Sequence, residues 1–473
     1  FRIYAGKDNK PAAYSKDNAP YKPKHFLPVS IKGINDGDFT MVYGFPGRTN
    51  RYENSYGIKL AIEKTNPAIV ALRDVRLTNW KMEMDKSDSI RLLMSADYAQ
   101  IANYWKYFIG QTEQLKKNNV YTKKVAIEQE FTGWISQEEE RKTKYGHVLN
   151  DIDEAYKVID KYIGLRVYFT EGVYSLAVNS FMLRHLKVYT SLSSATPDKQ
   201  TVKDDLKKID RMVEGHFSGF DIATEVDLNV AMFEFFFADV NPEQHTAQLN
   251  ELVAGFAEGK GWEEFIQEAM SKSVFADKEK YAAFVANPTL EAFSEDKLFM
   301  ITYSLYSNYR DLVFGSEAVK AQAKLDKANR LFITALREMY PDKNFYPNAN
   351  STLRLTYGTV QKYSKPDGSK NYDYYTTIES MMAKEDPTNE EFIIPARLKE
   401  LYEKKDYGRY GQDGTLWINF ISNNDITGGN SGSPVINGKG QLIGVAFDGN
   451  WEAMSGDIAF ERDFQRTISC DIR

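Results

Sequence analysis

Residues 424–435 read Asn424-Asp425-Ile426-Thr427-Gly428-Gly429-Asn430-Ser431-Gly432-Ser433-Pro434-Val435, a glycine-rich turn that leads into an apolar strand. Gly429 and Gly432 allow the backbone to bend sharply and to approach a bound molecule without hindrance from a Cβ atom. The backbone N–H groups of Gly429 and Ser431 could then converge on an oxygen that becomes negatively charged, forming an oxyanion hole. Ser431 is therefore the candidate nucleophile. The competing interpretation is an ordinary Gly/Ser hairpin loop, and the strand-rich surroundings favour the nucleophile turn.

A serine hydroxyl becomes a good nucleophile only when a base takes its proton, and the usual base is a histidine oriented by a carboxylate. The chain has five histidines: His25, His147, His185, His216 and His245. The last four fall in helical sequence, where a lone histidine is usually a packing or surface residue. His25 stands at a charged strand entrance. We expect none of the five to be the base, so the chain by itself is predicted to be inactive.

No other catalytic motif competes with the serine turn. The sequence contains no His-Glu-x-x-His, no phosphate-binding loop and no dinucleotide fingerprint. We therefore expect neither a cofactor nor a metal ion.

Composition describes a globular chain of more than one domain. Its 473 residues are 42% apolar and 27% charged, which is enough for two or three domains. The net charge of -6 argues against nucleic acid as a partner. No run approaches the 18 or so apolar residues of a membrane span. The single cysteine, Cys470, excludes an intrachain disulfide.

Periodicity divides the chain into three segments. Residues 1–54 and 341–473 alternate as strands do, and residues 55–340 show helical spacing, as along the stripe of Leu92, Ala96, Ala99 and Asn103. This order predicts one β domain interrupted by an inserted helical domain. The junction is expected in the loops 45–52 and 346–352.

Individual elements follow from the same patterns. A helix start is predicted at Asn241-Pro242-Glu243, and the last long helix is expected to end at Tyr340-Pro341. A short helix is expected at 394–404 and a loop at Asp448–Trp451. The predicted strands are Phe1–Ala5, Phe26–Ile31, Phe39–Phe45, Ser351–Tyr357, Thr415–Ile421, Val435–Ile436, Leu442–Phe447, Ile458–Phe460 and Arg466–Ile472.

Several motifs together resemble one family. They are the run 427–435, Ile443-Gly444, 447–452, the closing 466–473, and the segments 44–52, 102–106 and 348–352. As a set they resemble the bacterial dipeptidyl-peptidase 7 and 11 family of serine exopeptidases. The resemblance implies an α+β multidomain protein in which a chymotrypsin-like double β-barrel, incomplete here, is interrupted by a large inserted α-helical domain.

The resemblance also implies roles for particular residues. Asp448 and Asn103 match residues that bind the α-ammonium of the substrate. In the acidic-specific branch an arginine follows the amine-binding aspartate, whereas this chain has Gly449 there. A glycine leaves the pocket uncharged and open, which predicts the hydrophobic-preferring branch, resembling dipeptidyl-peptidase 7. Cys470 departs from the apolar residue expected there and is predicted to be buried and unreactive.

Both chain ends look cut. The chain starts at Phe1 without methionine and stops at Arg473, each time in strand-like sequence. We expect a fragment of a longer protein, with the catalytic histidine and aspartate upstream of Phe1, as the resemblance implies. It also implies a periplasmic, secreted or cell-surface protein.

The favoured hypothesis is a serine exopeptidase that releases dipeptides from free N-termini of oligopeptides through an acyl-enzyme on Ser431. One alternative is a non-catalytic peptide-binding protein with a peptidase fold. Another is a glutamyl-endopeptidase-like protease, since such enzymes share the serine motif. A homodimer is left open.

Overall fold

The computed structural model describes residues 2–219, 221–256 and 261–473, so the predicted strand position at Phe1 lies outside the described residues. The chain forms two compact units. The β unit comprises Phe1–Arg51 and Pro347–Arg473, and the helical unit comprises Tyr52–Tyr346. The sequence-based boundaries stood at residues 55 and 340. The chain thus leaves the β unit after one short segment and returns to it for the segment that contains Ser431.

The strands lie in the β unit. Within the described residues they are β1 (Tyr4–Ala5), β2 (Ala19–Pro20), β3 (Phe39–Gly44), β4 (Arg354–Thr359), β5 (Tyr363–Ser364), β6 (Asn371–Tyr372), β7 (Tyr375–Thr377), β8 (Trp417–Ser422), β9 (Ser433–Ile436), β10 (Leu442–Gly449) and β11 (Thr467–Asp471). Seven of them form one antiparallel sheet in the order β4-β3-β9-β10-β11-β8-β7.

The seven-stranded sheet curls back on itself. Val360, directly after β4, forms an antiparallel bridge with Ser422 in β8. The Asn423 N–H also donates to the Thr359 carbonyl at 3.1 Å. Because β4 and β8 stand near opposite sides of the sheet, these bonds bring the two sides together.

Alternation of residue types explains which face of this sheet is inside. In β3, Thr40 and Val42 are buried, whereas Phe39 and Tyr43 point outward and are exposed. The interior cluster consists of Ile34, Val42, Val360, Trp417, Phe420, Val435, Ile443 and Ala446. Burying each large apolar side chain contributes about 1.5–3 kcal/mol.

Two predicted strands are wrong. Phe26–Ile31 is irregular and contributes a single parallel bridge between Val29 and Leu442. Ile458–Phe460 is not a strand: the N–H groups of Ile458 and Ala459 donate to the Ser455 carbonyl, and the turn that follows a 3₁₀ helix there ends at Ile458. Those N–H groups are then not available for a ladder, despite the apolar composition of the segment.

Cys470 is also placed differently from our expectation. It is exposed, because β11 alternates and turns Thr467, Ser469 and Asp471 inward. Partial desolvation by the neighbouring strands, together with Asp471, raises the pKa of the Cys470 thiol. The thiol is therefore protonated near neutral pH, and an unreactive thiol remains the expectation.

Most of the remaining chain is helical. The α-helices of the described residues are α1 (Ser55–Leu60), α2 (Asn66–Met84), α3 (Asp88–Lys117), α4 (Val120–Ser136), α5 (Glu139–Tyr145), α6 (Val148–Val167), α7 (Ala177–Arg184), α8 (Leu186–Leu192), α9 (Lys199–Ser218), α10 (Ile222–Asp239), α11 (Ala247–Ala254), α12 (Gly261–Lys272), α13 (Lys278–Ala286), α14 (Glu291–Ser294), α15 (Lys297–Val313), α16 (Ser316–Met339), α17 (Ile378–Met382) and α18 (Ala396–Glu403). In the helical unit, π-helical turns at Ala61–Thr65 and Tyr168–Val173 interrupt the regular helices. No helix of the described residues is long and apolar enough to cross a membrane.

The sequence predicted where helices occur better than which of their faces are buried. Helix α16 ends at Met339, directly before Tyr340 and Pro341, as expected. The stripe from Leu92 to Asn103 does lie on α3, but it is exposed, and the buried residues of α3 come near its C-terminus. Asn241 caps only a 3₁₀ turn, and the next α-helix starts at Ala247.

Phe420 tests the curled sheet, because its side chain is fully buried and a Cβ atom on Gly444 would lie 2.5 Å from its ring. We expect Phe420→Ala to lower the free energy of unfolding of the β unit by about 3–5 kcal/mol, as other buried phenylalanines do. The control is Phe26→Ala, since Phe26 is 74% exposed and should change stability by no more than about 0.5 kcal/mol. Urea denaturation of the full-length protein measures both. Equal losses for the two variants would contradict this interior.

Candidate active site

Ser431 lies on the connection between β8 and β9, and its side chain is exposed. Its Oγ donates to the carbonyl of Phe447 in β10 at 3.2 Å. The N–H of Gly432 donates to the Ala446 carbonyl at 2.8 Å. The hydroxyl is thus presented to solvent from a turn that rests on the neighbouring strand.

The backbone conformation and the surroundings of Gly429 both disfavour any residue with a side chain. Its φ is +103°, a backbone conformation that strains residues with a side chain. A Cβ atom there would also lie 2.4 Å from the Phe45 carbonyl oxygen. The close approach of residues 45–47 to the serine turn therefore depends on this glycine.

Two backbone N–H groups at the serine turn have no hydrogen-bond acceptor within the described residues. Within the described residues, neither the N–H of Gly429 nor that of Ser431 donates to a protein acceptor. Unpaired N–H groups next to a nucleophile are what an oxyanion hole requires. The assignment of Gly429 and Ser431 as its donors remains a prediction that this arrangement supports.

A buried asparagine, which the sequence analysis did not single out, anchors the start of the turn. The Asn424 Oδ1 accepts from the hydroxyls of Thr40 and Ser422, each at 2.7 Å, and its Nδ2 donates to the Thr356 carbonyl at 3.2 Å. Its backbone carbonyl accepts from the Thr467 hydroxyl at 2.8 Å. Asn424 thus joins four strands. An Asn-Asp pair six to seven residues before the serine is only a weak sequence signal for such a role.

Asp448 and Gly449 lie within β10, although we expected a loop there. The strand continues because a bulge near Phe447 shifts the register with β11 and lets Gly449 pair with Thr467. The bulge leaves the Phe447 carbonyl to accept from Ser431, and the exposed Asp448 follows it directly. The structure therefore brings Asp448 to the strand segment that Ser431 contacts.

Asn103 belongs to the helical unit, on the exposed face of α3. Its proposed role toward a substrate amine remains a prediction.

Packing in the helical unit accounts for three of the histidines. The buried His185 bonds through Nδ1 to the Phe181 carbonyl and through Nε2 to the Tyr281 hydroxyl, at 2.9 and 2.8 Å. Burial lowers the pKa of His185 to about 4. His216 and His245 each bond to a backbone carbonyl of the same unit. These rings serve the fold of the helices.

The described residues do not contain a cluster of three or more His, Cys, Asp or Glu side chains that could hold a metal ion. Around Ser431, the described residues supply an exposed hydroxyl, adjacent backbone donors and the Asp448 carboxylate. Serine peptidases of the chymotrypsin type present their nucleophile in the same way, on a glycine turn of a curled antiparallel sheet.

The chain belongs to the peptidase S46 family, which is matched over residues 1–473. It is 36% identical to dipeptidyl-peptidase 7 of Phocaeicola vulgatus, over the whole chain and 65% of that protein. It is 34% identical to an Asp/Glu-specific dipeptidyl-peptidase of Flavobacterium psychrophilum, with the same coverage. The chain therefore spans about 65% of the length of these relatives.

The fold is also similar to a solved structure. The crystal structure of Porphyromonas endodontalis DPP11 in complex with the dipeptide Arg-Glu superposes with a TM-score of 0.86 and is 29% identical. The match covers 100% of this chain and 66% of that one. The resemblance noted in the sequence thus identified the right family.

Proposed function

We propose that the full-length protein is a serine dipeptidyl-peptidase in which Ser431 forms the acyl-enzyme. Its family and the names of its relatives support this function. The observation that carries the proposal is the exposed Ser431 hydroxyl beside the unpaired N–H groups of Gly429 and Ser431. The proposal includes a chymotrypsin-like double β-barrel, of which the curled sheet of the β unit would be one barrel.

The reaction follows from this arrangement. Ser431 Oγ attacks the carbonyl carbon of the second peptide bond, and the carbonyl oxygen becomes negative. The N–H groups of Gly429 and Ser431 stabilise that oxygen in the transition state. The Oγ proton passes to a base and then to the departing amine, and water later releases the dipeptide. In this proposal the base is not one of the residues of this chain. It belongs to a segment that corresponds to the part of the relatives' sequences that this chain does not match.

A dipeptidyl-peptidase must also recognise a free N-terminus. The α-ammonium needs an anionic or amide partner at a fixed distance from the nucleophile. We propose Asp448 for this role, because its exposed carboxylate follows directly the residue whose carbonyl accepts from Ser431. Asn103 is proposed as a second partner on the resemblance alone.

The side-chain preference depends on which charges reach the substrate. Gly449 adds none, and the nearby Arg466 is buried with its guanidinium donating to four backbone carbonyls. Arg51 is paired with Asp425 through both terminal nitrogens. An acidic side chain would therefore be desolvated without a cationic partner from these residues. This supports a hydrophobic penultimate residue, although some relatives are named Asp/Glu-specific.

We further propose a periplasmic, secreted or cell-surface location, on the resemblance to the family. Oligopeptides with a free N-terminus are the proposed partners.

The primary test is covalent labelling of Ser431. The full-length protein should react with a phosphonyl fluoride at Ser431 and release dipeptides from reporters with a free N-terminus. Ser431→Ala should lose labelling and several orders of magnitude in kcat, because the nucleophile is gone. Mass spectrometry of the labelled peptide and a reporter assay measure the two effects.

Ser433→Ala is the matched control, since Ser433 begins β9 two residues after Ser431 but is buried. Peptide binding with neither labelling at Ser431 nor turnover of any reporter would favour the peptide-binding alternative. Faster cleavage of N-blocked than of free reporters would favour the glutamyl-endopeptidase alternative.

Amine recognition is tested by Asp448→Ala and Asp448→Asn. A charge-assisted hydrogen bond is worth about 1.5–3 kcal/mol, so Asp448→Ala should lower kcat/KM on free dipeptide reporters at least tenfold. Asp448→Asn should lie between it and the parent. Asn103→Ala should also lower kcat/KM, whereas Gln100→Ala, on the same exposed face of α3, should not. Unchanged kinetics of Asp448→Ala would remove this residue from the site.

Specificity is tested by Gly449→Arg against Gly449→Gln. Both variants place a Cβ atom 3.0 Å from that of Ala453, so they share this close contact, and only the arginine adds a charge. On reporters ending in Leu, Met, Asp and Glu, we expect the parent to prefer Leu and Met. The arginine variant alone should gain Asp and Glu, because a guanidinium pairs with a carboxylate. A parent that already prefers acidic residues would refute the hydrophobic assignment.

A further inference from the structure

The segment 45–51 lies against the turn that precedes Ser431. The Gly47 N–H donates to the Gly428 carbonyl at 2.7 Å. The Phe45 carbonyl lies so close to Gly429 that a Cβ atom there would be 2.4 Å away. The position of this segment therefore decides how the peptide between Gly428 and Gly429 is oriented.

That orientation matters for the oxyanion donors. In a planar trans peptide the C=O and the following N–H point in opposite directions. The Gly428 carbonyl points at Gly47, so the Gly429 N–H points away from the segment 45–51 and stays unpaired within the described residues. If the peptide rotated by half a turn, the Gly429 N–H would no longer face the oxyanion.

An ion pair ties the same segment to the same turn a second time. Arg51 donates from its two terminal nitrogens to the two carboxylate oxygens of Asp425, at 2.9 and 2.7 Å. Its guanidinium also lies over the Phe460 ring, 5.4 Å from the centroid. The Arg51 backbone N–H donates to Asn348 Oδ1 at 2.9 Å, which fixes the end of the segment. Arg51 is thus held on both its backbone and its side chain.

Asp425 connects the ion pair with Arg51 to the peptide between Gly428 and Gly429. It stands three residues before Gly428, and its N–H donates to the Thr356 hydroxyl at 3.0 Å. Together the Gly47–Gly428 bond and the Arg51–Asp425 pair hold both ends of residues 425–428 against the segment 45–51. A bidentate pair fixes direction as well as distance, which a lysine could not do.

We propose that Arg51 and Asp425 are positioning residues that hold the Gly428–Gly429 peptide in the orientation needed for the oxyanion hole. The inference rests on the proposed function, because it assigns a role within that catalytic step. Neither residue touches the reacting atoms in this role. They act through the segment 45–51 and the Gly47–Gly428 bond.

A purely structural role would have a different signature. The pair is partly exposed, with 23% and 36% of the two side chains accessible, and such pairs contribute little to stability. Loss of the pair should therefore leave the unfolding temperature nearly unchanged. A positioning role predicts instead a loss in kcat at constant KM, since an oxyanion donor acts in the transition state.

The test uses Arg51→Ala, Asp425→Ala and the double variant of the full-length protein, with Asp425→Asn kept in case alanine prevents folding. We expect kcat on a free dipeptide reporter to fall about tenfold to a hundredfold, because losing one oxyanion donor outright costs about 10² or more. KM should change less than threefold, and the double variant should be no slower than either single one. Asp373→Ala, which removes the exposed Lys362–Asp373 pair of the β unit, should match the parent.

Crystal structures of the parent and of Asp425→Ala provide a second, independent result. In the variant the Gly428 carbonyl should have left Gly47. If it stays in place and kcat is unchanged, the inference is overturned. A loss confined to KM also overturns it, because Asp425 would then contact substrate. If the parent cleaves no dipeptide reporter, the proposed function fails, and the orientation of the Gly428 carbonyl in the two structures alone decides the positioning role.

Discussion

The arrangement of the strands around Ser431 depends on the hydrogen bonds of the buried Asn424 side-chain amide. Its Oδ1 and Nδ2 are satisfied by Thr40, Ser422 and Thr356, which lie on β3, β8 and β4. A buried amide that lost these partners would cost several kcal/mol, so the network favours one arrangement of the strands over others. Two of the strands that meet at Asn424, β4 and β8, are also those that close the curled sheet. Fold and site thus share one set of hydrogen bonds.

Further contacts hold the serine turn in place after Asn424. Residues that follow Asn424 are held by an ion pair, by backbone bonds and by a glycine that has no room for a side chain. What these contacts leave unpaired is a small set of backbone donors beside an exposed hydroxyl. Donors fixed in advance need no reorganisation when negative charge develops, which is how such sites accelerate acyl transfer.

The helical unit is stabilised in another way. Its largest core cluster is rich in aromatic rings, such as Phe181, Phe275 and Phe299, and His185 is buried among them. Ion pairs on its surface, such as that of Lys81 with Asp85, contribute little to stability. The stripe of α3 that carries Asn103 is exposed, Leu92 included.

The sequence by itself determined the family, the order of β and helical segments, and the glycine turn with Ser431, because these depend on local patterns and backbone freedom. It could not determine that β10 continues through Asp448, since a bulge is set by pairing with β11. Nor could it reveal that Ile458–Phe460 is not a strand, that Cys470 is exposed, or that the α3 stripe is not buried. The hydrogen bond of Thr40 with Asn424 and the ion pair of Arg51 with Asp425 each join residues more than 300 positions apart. Only tertiary structure decides such contacts, because no local spacing encodes which distant side chain satisfies a buried amide or a charge.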